Sequence, residues 1–160
     1  QEDQNLYGSL LNIAGAAGNI LTISGTTSTN YVRQFTTGIQ ELISKKLPVG
    51  NILMTQSMYY NLMSQPATQI GSGLAGELVS GNGGLTGLFG NRFITTIKND
   101  ILPDNQFIVF TTPQYLGQMY ILQDATVFLK TEADMLSFET YESIGCGIGN
   151  TNGFVVCNLV

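Results

Sequence analysis

Three glycines, Gly71, Gly73 and Gly76, spell the GxGxxG pattern that approaches phosphates in dinucleotide-binding folds. That pattern needs a strand before it and a helix after it, because the helix N-terminus holds the pyrophosphate. Here Pro66 and a predicted helix precede the glycines, and further glycines follow them. The sequence also lacks the GxxxxGK[ST] phosphate loop. We therefore interpret this stretch as a glycine-rich loop and predict no cofactor.

Two pairs of nearby carboxylates could serve hydrolysis or metal binding: Glu132 with Asp134, and Glu139 with Glu142. Neither pair has Asn or Asp ligands at calcium-loop spacing. The chain has no histidine, so the commonest general base and metal ligand is missing. We interpret the carboxylates as solvated side chains. The sequence predicts no catalytic residue, no metal site and no enzymatic activity.

Tyrosines could form a stacking platform for bases or sugars; they are Tyr59, Tyr60, Tyr115, Tyr120 and Tyr141. No arginine or lysine is interleaved with them, which favours packing in a core or interface. The chain has only six Lys and Arg residues and a net charge of −5. Because binding to nucleic acid depends on neutralising phosphates, we predict no specific nucleic-acid binding. A carbohydrate-binding module stays open as an alternative.

The composition suits one domain that buries much of its surface against other subunits. A chain of 160 residues with 43% hydrophobic residues can form one ordinary core. Only 11% of residues are charged, so its surface is largely neutral and polar, with little self-repulsion. No apolar run approaches the roughly 20 residues that span a bilayer, and we predict no membrane partner. We interpret Cys146 and Cys157 as buried thiols in a reducing compartment. A disulfide between them would require their strands to pair.

The front half predicts two helices. Apolar residues recur every three or four positions over Tyr31–Lys46, which Thr29 or Asn30 can cap and Pro48 ends. A short strand over Asn51–Met54 leads to Thr55, which can cap a helix over Gln56–Ser64. The first clear helix of the sequence is the one at Tyr31. The earlier stretch Leu10–Ile23 is broken by glycines and asparagines, and we interpret it as packed surface.

The rest of the chain predicts a long loop and then strands. Residues 66–91 hold eight glycines, and Asn82-Gly83 is a hairpin-turn signal. The predicted strands are Phe93–Ile97, Phe107–Thr111, Met119–Leu122, Thr126–Leu129, Phe138–Ile144 and Phe154–Val160. The predicted breaks lie at Pro103-Asp104, Pro113, Asp124 and the Gly145–Gly153 region. Helices first and consecutive strands later indicate an α+β domain with a mostly antiparallel sheet flanked by two helices.

The order of these segments resembles the C-terminal half of the major capsid proteins of tailed bacteriophages. This is the fold named after phage Hong Kong ninety-seven and shared with encapsulins. The matching segments are Asn5–Asn12, Tyr31–Ser64, Gly87–Ile94, Phe107–Thr111, Met119–Leu122, Asp124–Asp134, Phe138–Ile148 and Gly153–Val160. Asn5–Asn12 resembles the passage out of the family's spine helix. Thr55-Gln56 stands where the family has Asn-Pro, and the proline of the family's turn after Gly90 is missing.

The resemblance implies an organisation for the chain. Residues 1–160 would be a single axial domain with part of the peripheral domain. The family's N-terminal arm, extended loop and spine helix would precede residue 1, so the chain is expected to be a fragment. The Gly-rich loop would then lie near the centre of a capsomer, and its expected subunit-contact residues are Gly71, Gly73, Gly76, Asn82, Gly83 and Gly84.

The resemblance also implies a function. The chain would be a structural subunit of an icosahedral shell, forming pentamers and hexamers that enclose double-stranded DNA. Its main partners would be copies of itself, with scaffold, portal or decoration proteins as further candidates. It would be located in the virion capsid after assembly in the host cytoplasm. The alternative within the same fold is the shell protein of an encapsulin-like nanocompartment.

Overall fold

The computed structural model of the chain describes residues 2–24, 31–64, 87–88, 90–132 and 135–160. Within these ranges it contains four helices and eight strands. The helices are α1 (Glu2–Ala17), α2 (Tyr31–Ser44), α3 (Gln56–Met63) and α4 (Pro113–Leu116). The strands are β1 (Ile20–Ile23), β2 (Val49–Thr55), β3 (Gly87–Leu88), β4 (Asn91–Thr96), β5 (Gln106–Thr111), β6 (Gly117–Glu132), β7 (Met135–Ile148) and β8 (Phe154–Leu159).

Six strands form one sheet in the order β1-β8-β5-β2-β4-β3. β1 pairs with β8 and β2 pairs with β4 in parallel, while β2 with β5, β5 with β8 and β3 with β4 are antiparallel. β6 and β7 form a separate antiparallel pair, here called the ribbon. Among the described strands most pairings are therefore antiparallel, and the predicted α+β class is confirmed.

The central strands are buried on both faces, and their side chains divide the core in two. On one face α2 and α3 cover Phe107, Val109, Val155 and Cys157. On the other face α1 and the base of the ribbon cover Ile108, Phe154 and Val156, with Ala14 of α1 fully buried. The nearly unbroken apolar runs of β5 and β8 follow from this, because no face of either strand meets water.

The helix α2 forms as predicted because its apolar side chains lie on one stripe. Its buried residues are Tyr31, Gln34, Phe35, Gly38, Ile39 and Leu42. The ring of Phe35 meets that of Phe107 edge-on, with centroids 4.7 Å apart. The helix ends at Ser44 rather than Lys46, since Lys46 takes the left-handed conformation with φ 61° before Pro48. The predicted caps Thr29 and Asn30 lie outside the described residues.

The second predicted helix is also confirmed. Thr55 precedes α3 in an extended conformation, and its hydroxyl oxygen accepts a hydrogen bond from the Met58 amide at 3.2 Å. This is the N-cap arrangement that the sequence indicated, and it satisfies an amide that has no partner inside the helix.

Two expectations about the helices are wrong. The first is the number of helices: α1 occupies residues for which no helix was predicted, so more than two helices flank the sheet. The second concerns Asn5–Asn12, which lies inside α1 and does not lead out of a helix. Its glycines cost helix stability, but Leu10, Leu11 and Ala14 pack on the sheet and offset that cost. The break between strands at Pro113 is confirmed, and Pro113 begins the short helix α4 there, as its fixed φ suits a first helical position.

The ribbon differs from the prediction as well. Met119–Leu122 and Thr126–Leu129 belong to one continuous strand, β6, and no break occurs at Asp124. Irregular pairing between Ile121 and Thr126 accommodates the polar residues there, which is what a bulge does without ending a strand. β7 continues to Ile148, past the predicted end of its strand at Ile144.

No helix among the described residues has the length and apolar character required to cross a membrane.

Candidate subunit-contact site

The six residues predicted to contact other subunits lie outside the described residues. They are Gly71, Gly73, Gly76, Asn82, Gly83 and Gly84. The structure describes only the segments on either side of them. The described residues before them end at Ser64, just after α3, and those after them begin with β3 on the edge of the six-stranded sheet. Their role in subunit contact stays a prediction.

The ribbon is a long two-stranded element whose strands pair with no other described strand. β6 has 16 residues and β7 has 14, and their register runs from Gly117 opposite Ile148 to Glu132 opposite Met135. At roughly 3.3 Å per residue, β6 is about 50 Å long. Among the described strands β6 and β7 pair only with each other, so each has a second edge without a strand partner.

A two-stranded ribbon of this kind is marginally stable in water on its own. Unpaired strand edges also present rows of amide and carbonyl groups that favour pairing with another chain. Val127, one of the ribbon residues with a described side chain, is 62% exposed. The ribbon therefore has the properties of a surface that is completed by a neighbouring molecule.

The base of the ribbon is held by short backbone contacts. The Leu116 carbonyl accepts hydrogen bonds from the amides of Gly149 (3.0 Å) and Asn150 (3.1 Å). Gly117 is opposite Ile148, and the preceding carbonyl is so close that a Cβ on Gly117 would lie 2.2 Å from the Gly147 carbonyl oxygen. Only glycine permits that approach of two backbones. The glycines of this region thus position the ribbon relative to the sheet.

Open grooves flank the base of the ribbon on two sides. One, of about 450 Å³, is bordered by Tyr115 and Asn150. The other, of about 340 Å³, is mostly apolar and runs between the base and the exposed Ile94 of β4. Neither groove brings together carboxylates, thiols or basic groups. Their linings suit the packing of side chains rather than a reaction.

A third groove, of about 240 Å³, lies between α1 and the sheet and is lined by Leu6, Leu10 and Leu53 among others. An ion pair between Asp3 and Lys98 borders it at the surface. Both side chains are more than half exposed, so solvent screens the pair. The groove reflects the loose seating of α1, whose apolar side chains are mostly half-buried.

The residues considered for chemistry do not assemble into a site. Among the described residues, no group of three or more His, Cys, Asp and Glu could hold a metal ion. Glu132 and Glu139 lie on the ribbon strands, and Asp134 is outside the described residues. Tyr59 and Tyr60 meet edge-on with centroids 5.8 Å apart on α3, whereas Tyr115 is at the base of the ribbon.

Cys157 is a free thiol buried where α2 crosses β8. Burial, and then the nearby charge of Glu41, raise the pKa of this thiol to about 12. The thiol is therefore protonated at neutral pH and unreactive as a nucleophile. Cys146 is on β7 of the ribbon and Cys157 on β8 of the sheet, so their strands do not pair as a disulfide would require.

Sequence reasoning missed the ribbon as a single long element. The signal that was available is the recurrence of Val, Ile, Phe, Thr and Tyr residues between 117 and 148. Asp124 and Gly145 were interpreted as breaks. Both lie within paired strands in the structure.

Comparisons with known proteins identify the fold. No protein-family model matches the sequence, and no curated protein matches it. A chain from the crystal structure of a virus-like particle from Pyrococcus furiosus is similar with a TM-score of 0.61 and 18% identity, over 88% of this chain and 56% of that chain. A chain from Mycobacterium phage Che8 has a TM-score of 0.63 and 21% identity, over 88% and 53% respectively.

A chain from Mycobacterium phage Ogopogo is similar to the same extent, with a TM-score of 0.63 and 13% identity over 89% of this chain and 54% of that chain. The chain thus shares its fold with chains of phage and virus-like-particle structures. It spans little more than half the length of those chains.

Proposed function

We propose that this chain belongs to a shell subunit of a viral capsid or virus-like particle and assembles with copies of itself. The observation that carries the proposal is the fold shared, over 88% of the chain, with a chain of a virus-like particle and with a chain of a phage structure. In its finer form, the subunit has the Hong Kong ninety-seven-type fold and forms pentamers and hexamers that enclose double-stranded DNA in a virion.

The ribbon supports self-assembly on physical grounds. Among the described strands, the outer edges of β6 and β7 have no strand partner, Val127 is exposed, and the ribbon contacts little else in the described structure. A neighbouring subunit that packs against the ribbon would bury this surface and satisfy its backbone groups. The low charge of the chain favours such contacts, since few charged groups would have to be desolvated.

The chemistry of the described residues supports a structural role. The Cys157 thiol is buried and its pKa is raised, so it is not a nucleophile. The tyrosines that a carbohydrate-binding module would use are divided between α3 and the base of the ribbon, which are associated with opposite faces of the sheet. We therefore favour a shell subunit over a binding module.

The deciding experiment is to express the gene's full-length product and examine it by electron microscopy and light scattering. Closed shells or rings of five and six subunits are the expected result. A product that stays strictly monomeric at high concentration would overturn the proposal. Nuclease-protected DNA inside purified shells would indicate a phage capsid, whereas shells that hold protein cargo would indicate a nanocompartment.

A pair of variants tests the contribution of the ribbon. Val127→Glu places a charge on an exposed ribbon position and is expected to block shell formation while the subunit stays folded. Ile43→Glu on α2, where the side chain is 56% exposed, is the matched control away from the ribbon. If Val127→Glu forms shells as well as the wild type, the ribbon is not part of the interface between subunits. The proposal that the protein forms shells would still stand.

A further inference from the structure

A single buried amide, that of Asn19, joins three separate parts of the fold. Asn19 is 2% exposed and follows α1. Its Nδ2 donates a hydrogen bond to the Thr151 carbonyl at 2.5 Å, and its Oδ1 accepts one from Lys45 Nζ. The Asn19 side chain is buried, whereas Lys45 is half-buried and Thr151 is exposed. Loss of either bond would therefore leave a buried polar atom of Asn19 without its partner, which is costly.

The backbone of Asn19 is equally well satisfied. Its amide donates to the Ala14 carbonyl at 2.8 Å, and its carbonyl accepts from the Val156 amide at 2.9 Å. Gly18, with φ 68°, donates to Gly15, which completes the Schellman motif at the end of α1. The position and direction of the Asn19 side chain are thereby tied to the last turn of α1.

The partners of this side chain belong to other elements. Thr151 is in the turn that returns the chain from the ribbon to β8, and the amides at the start of that turn bind the Leu116 carbonyl at the base of the ribbon. Lys45 follows the end of α2, where its Nζ is also 3.9 Å from Glu41. Asn19 therefore contacts α1, the ribbon's return turn and α2 at once.

We propose that Asn19 couples α1 to the base of the ribbon, so that a change in the position of the ribbon is transmitted to α1. Moving the return turn without α1 would leave a buried amide group without a partner. Moving both together keeps the hydrogen bond. The coupling goes beyond the proposed shell function and does not depend on it, because all the contacts lie within one chain.

Amide hydrogen exchange on the purified chain tests the coupling, since it reports local opening residue by residue. Asn19→Asp keeps an acceptor for Lys45 but replaces the donor to Thr151 with an oxygen. It is expected to increase exchange about tenfold at Gly149, Asn150 and Gly153, and to leave the last turn of α2 unchanged. Lys45→Met is the matched control, expected to increase exchange only at the end of α2.

A second comparison tests whether a disturbance of the ribbon changes amide exchange in α1 only when Asn19 is present. Gly117→Ala disturbs the base of the ribbon and is expected to speed exchange at Gly18 and Asn19 in the wild-type background. The same change should have no effect there when Asn19 is Asp. Asn19→Ser, which is too short to reach Thr151 and carries no charge, gives the same comparison if the aspartate variant does not fold.

Three outcomes would overturn the proposal. The first is unchanged exchange in the return turn of the Asn19 variants. The second is a uniform increase that includes β5 and the whole of β8, which would mean a general loss of stability. The third is an equal response of α1 to Gly117→Ala with and without the Asn19 amide.

Discussion

Gly38→Ala is expected to destabilise the protein although alanine is the better helix former. Gly38 lies in α2 where the helix crosses the centre of the sheet. An added Cβ would meet Cys157 Sγ at 2.8 Å, Phe107 Cε2 at 3.1 Å and Val109 Cγ2 at 3.2 Å. The first distance is shorter than real Cβ contacts, and all three neighbours are buried, so the core must shift to admit one methyl group.

Two opposing free energies set the size of the effect. Replacing glycine by alanine inside a helix stabilises by about 0.5–1 kcal/mol. Overpacking a well-filled core costs about 1–3 kcal/mol. The steric effect is the larger of the two, and we expect a net loss of about 1–2 kcal/mol in the free energy of unfolding.

Urea unfolding followed by circular dichroism measures this loss, and Gly8→Ala in α1 is the matched control. A Cβ at Gly8 would meet nothing within 4 Å, so that variant should show only the helix-forming gain of about 0.5–1 kcal/mol. Cys157→Ala removes the nearest atom, and in combination with Gly38→Ala should cost less than the sum of the two single changes. A Gly38→Ala variant as stabilised as Gly8→Ala would refute the close packing of α2 on β8.

Three other changes have expected outcomes. Thr55→Ala should lower the free energy of unfolding by about 1 kcal/mol in a urea titration, because α3 loses its cap. Thr55→Ser keeps a hydroxyl at this position and should retain most of the wild-type stability. The Cys157 thiol ionises at its ordinary value of 9.0 when unfolded and at about 12 when folded. The Cys157 thiol therefore stays protonated to a higher pH in the folded state than in the unfolded state. As the pH rises from 9 towards 12, the free energy of unfolding of the wild type should fall relative to that of Cys157→Ala. The slope approaches 1.4 kcal/mol per pH unit at most, and equal alkaline unfolding curves would contradict the burial of the thiol. Gly117→Ala should lower the thermal midpoint, since its Cβ would lie 2.2 Å from the Gly147 carbonyl, whereas Gly149→Ala, with nothing within 4 Å, should not. Equal midpoints for the two alanine variants would argue against the close base of the ribbon.

Residues whose local pattern agrees with their tertiary surroundings could be interpreted from the sequence. The stripe of α2 and the cap of α3 are examples, because a helical period and a hydroxyl before the first turn act over a few residues. The apolar runs of β5 and β8 likewise predicted strands, and their burial on both faces explains why the runs are nearly continuous.

The candidate contact site was predictable only in part. The Gly-rich loop was predicted from composition over residues 66–91, but residues 66–86 lie outside the described residues and Gly87–Leu88 form β3. The six contact residues in it stay a prediction. The ribbon could not be identified as one element, since Asp124 and Gly145 are typical of breaks. Pairing along the whole length of β6 and β7 outweighs these local preferences, because each residue added to a ladder gains backbone hydrogen bonds.

The sequence by itself determined the neutral surface, the α+β class, two of the helices and the absence of histidine chemistry, since these depend on composition and on spacing over a few residues. Only the tertiary structure decided that α1 is a helix and that α2 packs against Cys157 at Gly38, where a side chain would not fit. It also decided that the Asn19 side chain binds both Thr151 and Lys45. The physical reason is distance along the chain. Asn19 and Thr151 are 132 positions apart, and such pairs gain their free energy only when the sheet has brought them together.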